Sequence, residues 1–136
     1  MNINDYISKL KVVIHSFAIV SSYNLNIDRK TEDAAYISGK IDFTDGSAVD
    51  FKEFIEKNDA GIEKYKYGYN YRKGDEVLFR YDNAHDPGAK KLASFPHHKH
   101  LGKDIIIESE PVNLWDVMEE IEKTISEQRI SEIIGM

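Results

Sequence analysis

Hydrophobic positions along the chain change their period twice. Near the amino end, Ile7, Leu10, Ile14 and Phe17 recur at intervals of three and four, which places them on one face of a helix. Asn4 precedes them, and its side-chain oxygen can accept from the free N–H groups of an opening turn, so the helix is expected to be capped there. From Val20 the period falls to two. Strands are expected at Val20–Ile27, Ala34–Phe43 and Ala48–Ile55, with Asp45-Gly46 as a tight hairpin turn. In the second of them Ala35, Ile37, Gly39, Ile41 and Phe43 alternate with Tyr36, Ser38, Lys40 and Asp42, so one face is buried. Tyr65, Tyr67, Tyr69 and Tyr71 take every second place in a further strand, Ile62–Tyr71, and Lys73-Gly74-Asp75 turns it into Val77–Asp82. The stretch from Asn83 to Ser94, with Pro87, Gly88 and Lys90-Lys91, reads as a solvated loop. Phe95–His100 and Asp104–Ile107 are short extended segments. After Pro111 and Asn113 the helical period returns, and Leu114, Val117 or Met118, Ile121 and Ile125 form an apolar stripe opposite an acidic face. The expected fold is α+β: an antiparallel meander sheet of about five strands with an N-terminal and a C-terminal helix.

At 136 residues the chain is expected to form a single domain, 1–136, large enough to bury about two-thirds of its surface. There is no cysteine, which excludes disulfides and thiolate metal sites and points to a cytoplasmic protein. The apolar run Val12–Val20 is too short and too polar to span a bilayer, so no membrane partner and no targeting signal are expected. A net charge of -6 argues against binding nucleic acid by bulk attraction, but the charge is unevenly distributed. Residues 62–103 carry nine Lys or Arg against five Asp or Glu, whereas residues 104–136 carry two against nine. His85, His97, His98 and His100 all lie in the positive stretch, where an anion site fits.

Three features of that stretch bear on chemistry: the tyrosine alternation, Arg80-Tyr81-Asp82-Asn83, and Phe95-Pro96-His97-His98-Lys99-His100. In an extended segment His98 and His100 face one way and His97 the other. An H-x-H pair on a strand can chelate a transition metal if a third ligand is near, with Asp82 and His85 as the candidates. The same groups suit metal-free phosphodiester chemistry. One imidazole takes a proton from a 2′-hydroxyl, a second imidazole or a tyrosine protonates the leaving oxygen, with His98 and His100 as the leading base and acid, Arg80 holds phosphorane charge, and Asp82 orients a histidine. Tyrosines can stack on single-stranded bases, although a tyrosine alternation is more often a packed sheet face. An Arg-x-Asp pair is as often a structural ion pair as a functional one. His15, alone on a helix, is read as structural.

Tyr67-Gly68-Tyr69-Asn70-Tyr71, Phe79-Arg80-Tyr81-Asp82-Asn83-Ala84 and Phe95-Pro96-His97-His98-Lys99-His100 together resemble the TumE family of toxins from prokaryotic type II toxin–antitoxin modules. Two departures matter. Asn70 stands where the family commonly carries a histidine, and His85-Asp86-Pro87 replaces a Pro-His-His that tends to follow the Asp-Asn-Ala stretch. The resemblance implies a growth-inhibiting toxin with a cognate antitoxin as partner and RNA as the candidate substrate. The candidate catalytic residues are His97, His98, His100, Arg80 and Asp82. Asn83, Tyr69, Tyr71 and His85 are the candidates for substrate binding, and no cofactor is expected. A metal-dependent hydrolase or transferase using His98, His100 and Asp82, and a non-catalytic RNA- or protein-binding module, are the competing readings. The acidic C-terminal helix face could pair with a basic antitoxin segment or with a second copy of the chain.

Overall fold

The computed structural model describes residues 1–135. Helix α1 spans Ile3–His15 and is capped by Asn2, two residues earlier than the sequence suggested. The side chain of Asn2 accepts from the Asp5 N–H while Asp5 accepts from the Asn2 N–H, so two orphan donors are satisfied reciprocally. Seven strands follow: β1 Val20–Thr31, β2 Ala34–Phe43, β3 Ser47–Asn58, β4 Gly61–Lys73, β5 Glu76–Asp82, β6 His98–Leu101 and β7 Ile105–Glu108. Each pairs antiparallel with its sequence neighbour, so spatial order equals chain order in one sheet. The expected count of about five rises to seven because β6 and β7, four residues each, both join the ladder. Helix α2, Leu114–Ile134, repeats the reciprocal cap with Asn113 and Asp116. Neither helix is long and apolar enough to cross a membrane.

Parity decides which face each side chain joins. Ile37, Ile41, Val49, Phe51, Ile55, Tyr69, Tyr71 and Phe79 are odd-numbered and buried, and they form the core with Leu10 and Ile14 of α1 and Val117, Met118, Ile121 and Ile125 of α2. Each such side chain contributes roughly 1.5–3 kcal/mol on burial. Both helices therefore lie on one face of the sheet, and most even-numbered strand positions look out from the other; where the ladder register shifts, parity fails, and Val20, Ile62, Lys64 and Leu78 join the helix side.

Two core features go beyond simple packing. Glu53 is fully buried on the helix side, where its carboxylate accepts from the hydroxyls of Tyr6 and Tyr69 and lies 3.8 Å from the Lys64 ammonium. Lys64 also donates to the Val112 carbonyl at 2.7 Å, so one buried polar knot ties α1, the sheet and the approach to α2. Burial first, and the Glu53 charge second, push the Tyr6 and Tyr69 hydroxyls up, and burial holds Lys64 below its usual range. The other feature is Gly39: a Cβ built there would stand 2.5 Å from Phe51 Cε1 and 2.9 Å from Leu25 Cδ2. Gly39→Ala is expected to cost about 1–3 kcal/mol through overpacking, read as a fall of several degrees in the thermal midpoint of unfolding. His15 bonds the Tyr23 hydroxyl at 3.0 Å at the surface, in keeping with a structural role.

Candidate active site

The even-numbered face of the sheet is uncovered, and register brings its polar residues into rows. One row runs Lys40, Asp50, Asn70, Arg80, His100, and its neighbour runs Ser38, Lys52, Gly68, Asp82, His98. Arg80, Asp82, His98 and His100 thus meet in one patch, although the loop of residues 83–97 separates the two pairs in sequence. A one-residue slip between β5 and β6 would send one pair to the helix side.

Hydrogen-bond chemistry fixes the protons in this patch. His98 Nδ1 lies 2.8 Å from the Pro96 carbonyl, which only accepts, so Nδ1 carries hydrogen. Arg80 Nη2 lies 3.0 Å from His100 Nε2 and only donates, so His100 Nε2 presents its lone pair. Between them His98 Nε2 faces two acceptors, Asp82 Oδ1 and His100 Nε2, each at 3.0 Å. A hydrogen on His98 Nε2 goes to the Asp82 carboxylate; the one lone pair of His100 Nε2 is taken by Arg80, so the two imidazoles are in close contact without a second full hydrogen bond. Asp82 completes its shell with Arg80 Nε at 3.0 Å on Oδ2 and the Ala84 N–H at 3.0 Å on Oδ1. His98 is fully buried and His100 nearly so, while the Arg80 side chain keeps 45% of its exposure. Burial, and then the Arg80 guanidinium, hold His100 below the usual imidazole range. The patch therefore consists of two buried imidazoles behind a half-exposed guanidinium.

Not every residue singled out from sequence joins this patch. His97 turns to the helix side, where it stacks on Tyr67 at 5.8 Å and its Nδ1 meets the Tyr67 hydroxyl at 2.8 Å. Tyr69 and Tyr71 are core residues bonded to Glu53 and Ser47. The segment 95–97 is turned rather than extended, and strand geometry begins only at His98. Asn83 clamps the end of β5 to β4, accepting from the Tyr67 N–H and donating to the Tyr65 carbonyl. His85 is exposed at the rim, its ring 5.3 Å from Phe95. Of the two candidates for a third ligand, Asp82 is the one that register delivers. Its oxygen and the Nε2 atoms of His98 and His100 all lie within 4.8 Å of one another.

A trough of about 1230 Å³ crosses the open face; Arg80, Asp82, Asn83 and His85 line one part of it, whereas His98 and His100 lie outside its lining. Asn70 lines it, and its Oδ1 is buried without a hydrogen-bond partner. Lys52 and the aromatic rings of Tyr36, Phe54 and Tyr65 line it further along. Sequence reasoning passed over Asp50, Lys52, Tyr36 and Phe54. Their shared parity with Arg80 was the available signal, but only the register of four strands turns parity into proximity.

A protein-family model described as "Toxin TumE" matches residues 9–129 of the chain. No curated protein and no solved structure matches it.

Proposed function

The chain belongs to the TumE family of toxins, and from that premise we propose that this toxin component of a toxin–antitoxin system is a cytoplasmic, metal-independent endoribonuclease of the type II class. Family membership implies an antitoxin partner; RNA as the substrate rests on the chemistry of the patch. The observation that carries the reading is the 3.0 Å contact of Arg80 Nη2 with His100 Nε2. A guanidinium on that lone pair keeps the imidazole neutral, as a general base requires, and it is itself a phosphate ligand. It also sits 3.0 Å from both Asp82 Oδ2 and His100 Nε2, two of the three groups a dication would need.

In this reading Arg80 swings from His100 to a phosphate oxygen when RNA enters the trough, which frees the base as it charges the site. His100 Nε2 takes the proton of the 2′-hydroxyl, the oxygen attacks phosphorus, and the bond to the 5′-oxygen breaks. His100 returns the proton to that leaving oxygen, so protons balance over the step. The burial of His98 suits it to a positioning role: held by the Pro96 carbonyl and Asp82, its ring packs edge-on against that of His100. Asn70 Oδ1 supplies an acceptor for a substrate hydroxyl. The products carry 2′,3′-cyclic phosphate and 5′-hydroxyl ends.

A second reading, a metal-dependent hydrolase or transferase, is favoured by the convergence of Asp82, His98 and His100 and by the bond from His98 Nδ1–H to Pro96, which is how metal-bound imidazoles are held. One experiment separates the two. Untagged protein is incubated with single-stranded RNA, with and without a chelator, and product ends are determined alongside metal content. Cyclic phosphate ends and unchanged rates in chelator are expected. Loss of cleavage on chelation with restoration by a divalent ion would overturn the metal-independent reading. Growth arrest with intact total RNA would overturn the ribonuclease reading while leaving the toxin assignment in place.

A further inference from the structure

The ladder register contains an irregularity between Phe54 and Ile55, where β3 pairs Phe54 with Lys66 but Ile55 with Lys64. Tyr65 is the extra residue of a β-bulge, and the bulge turns it out of the odd-numbered core set that Tyr67, Tyr69 and Tyr71 follow. Tyr65 is 45% exposed and lines the trough beside Phe54 and Tyr36. The Phe54 and Tyr65 rings lie 6.4 Å apart at 51°, so they do not stack on each other, and neither helix covers them. The Tyr65 hydroxyl sits beside Glu63 and Asn58.

Charge on this face is arranged to match. Lys40 and Arg72 are paired with Asp42 and Asp50, whereas among the described residues Lys52 and Lys66, which border the rings, have no carboxylate within 4.0 Å. The acidic residues of α2 are on the opposite side of the sheet. Tyr65 lies three residues before Gly68, which faces Asp82 across the ladder, a separation of about 10 Å and about one to two nucleotides of extended chain.

We propose that Tyr65, with Phe54 and Tyr36, is a nucleobase platform, and that single-stranded RNA crosses the open face with a base on these rings and its phosphates passing Lys52 and Lys66 towards Arg80. This deepens the ribonuclease reading and rests on it for the choice of RNA. Unpaired bases are required, because a base inside a duplex has no free face to offer.

The test uses full-length protein carrying His100→Ala, so that the probe survives, and a fluorescently labelled single-stranded RNA decamer of mixed sequence. Anisotropy titrations compare this background with the same background plus Tyr65→Ala or Tyr65→Phe. Alanine is expected to raise Kd about tenfold or more, as loss of a stacking ring does, while phenylalanine stays within about twofold. Lys52→Ala should lower the slope of log Kd against log salt by about 0.7. A blunt RNA duplex should not compete. Unchanged Kd in Tyr65→Ala, equal competition by the duplex, or no binding of the decamer at all would each overturn the platform. Wild-type protein that binds the decamer through Tyr65 but never cleaves it would overturn the ribonuclease reading and leave the platform standing.

Discussion

His100→Ala is expected to slow RNA cleavage by about 10²–10⁴-fold, the usual worth of a positioned general base, and to abolish growth arrest when expressed from a tightly repressed promoter. The fold should persist, because Arg80 and Asp82 remain paired without it and the core lies on the other side of the sheet. A pH profile gives the sharper reading. The active form has a neutral His100, so kcat/KM falls as pH drops through the pKa of that residue. Burial and Arg80 lower this pKa, while Asp82 and Asp86 oppose them and the neighbouring His98 adds to the lowering. The acid limb should therefore lie below the ordinary histidine value of about 6.5. In Arg80→Ala the cation that depresses His100 is gone, so the limb moves to higher pH while the plateau falls by about 10²–10³-fold. A limb above the ordinary value in the wild type, or one that Arg80→Ala leaves in place, would contradict the assignment of His100 as base. His98→Ala should lower the plateau too, since His100 then loses its neighbour.

The second large effect concerns stability. Glu53→Ala is expected to destabilise the protein by about 3–5 kcal/mol, because it leaves the Lys64 ammonium and two tyrosine hydroxyls without their shared acceptor in a dry environment. Urea unfolding would register this as a lower midpoint with an unchanged slope. The double variant Glu53→Leu with Lys64→Met should recover the part of the loss that comes from the stranded Lys64 charge, since an apolar pair has none, while the two tyrosine hydroxyls stay without their acceptor. If Glu53→Ala alone costs less than about 1 kcal/mol, the knot is wet rather than buried and its role in joining α1 to the sheet fails.

How much of this was legible before the structure depended on the length of each element. The α2 stripe of Leu114, Val117, Met118, Ile121 and Ile125 and the alternation in β2 are long enough to show their period, and both appear where the pattern put them. β6 and β7 are four residues each, only two alternations, which is too little pattern to mark them as ladder strands rather than short extended segments. Asn2 and Asn4 are both able to cap a helix; the reciprocal partner Asp5, three residues after Asn2, was the deciding signal. The tyrosines illustrate a different limit. Even positions Lys66, Gly68, Asn70 and Arg72 are polar or small, which already marked Tyr67, Tyr69 and Tyr71 as the buried set, yet Tyr65 leaves that set through a bulge that no local pattern announces. Arg80 with Asp82, and His98 with His100, were each recognisable as same-face pairs. Their meeting was not, because it depends on the register across a fifteen-residue loop.

Because spatial order follows chain order, Arg80, Asp82, His98 and His100 all come from one antiparallel pair, β5 with β6, while the aromatic rings and free lysines of the trough come from β2, β3 and β4. That pair and the lining of its approach are thus inherited as separate stretches of gene. On the ribonuclease reading, substitutions at Tyr36, Phe54, Tyr65 or Lys52 would retune which sequences are attacked without disturbing the proton chemistry, so related toxins would diverge in target while keeping one reaction. An antitoxin that recognised only the lining would lose its hold on such descendants, and one that gripped the β5–β6 pair would not.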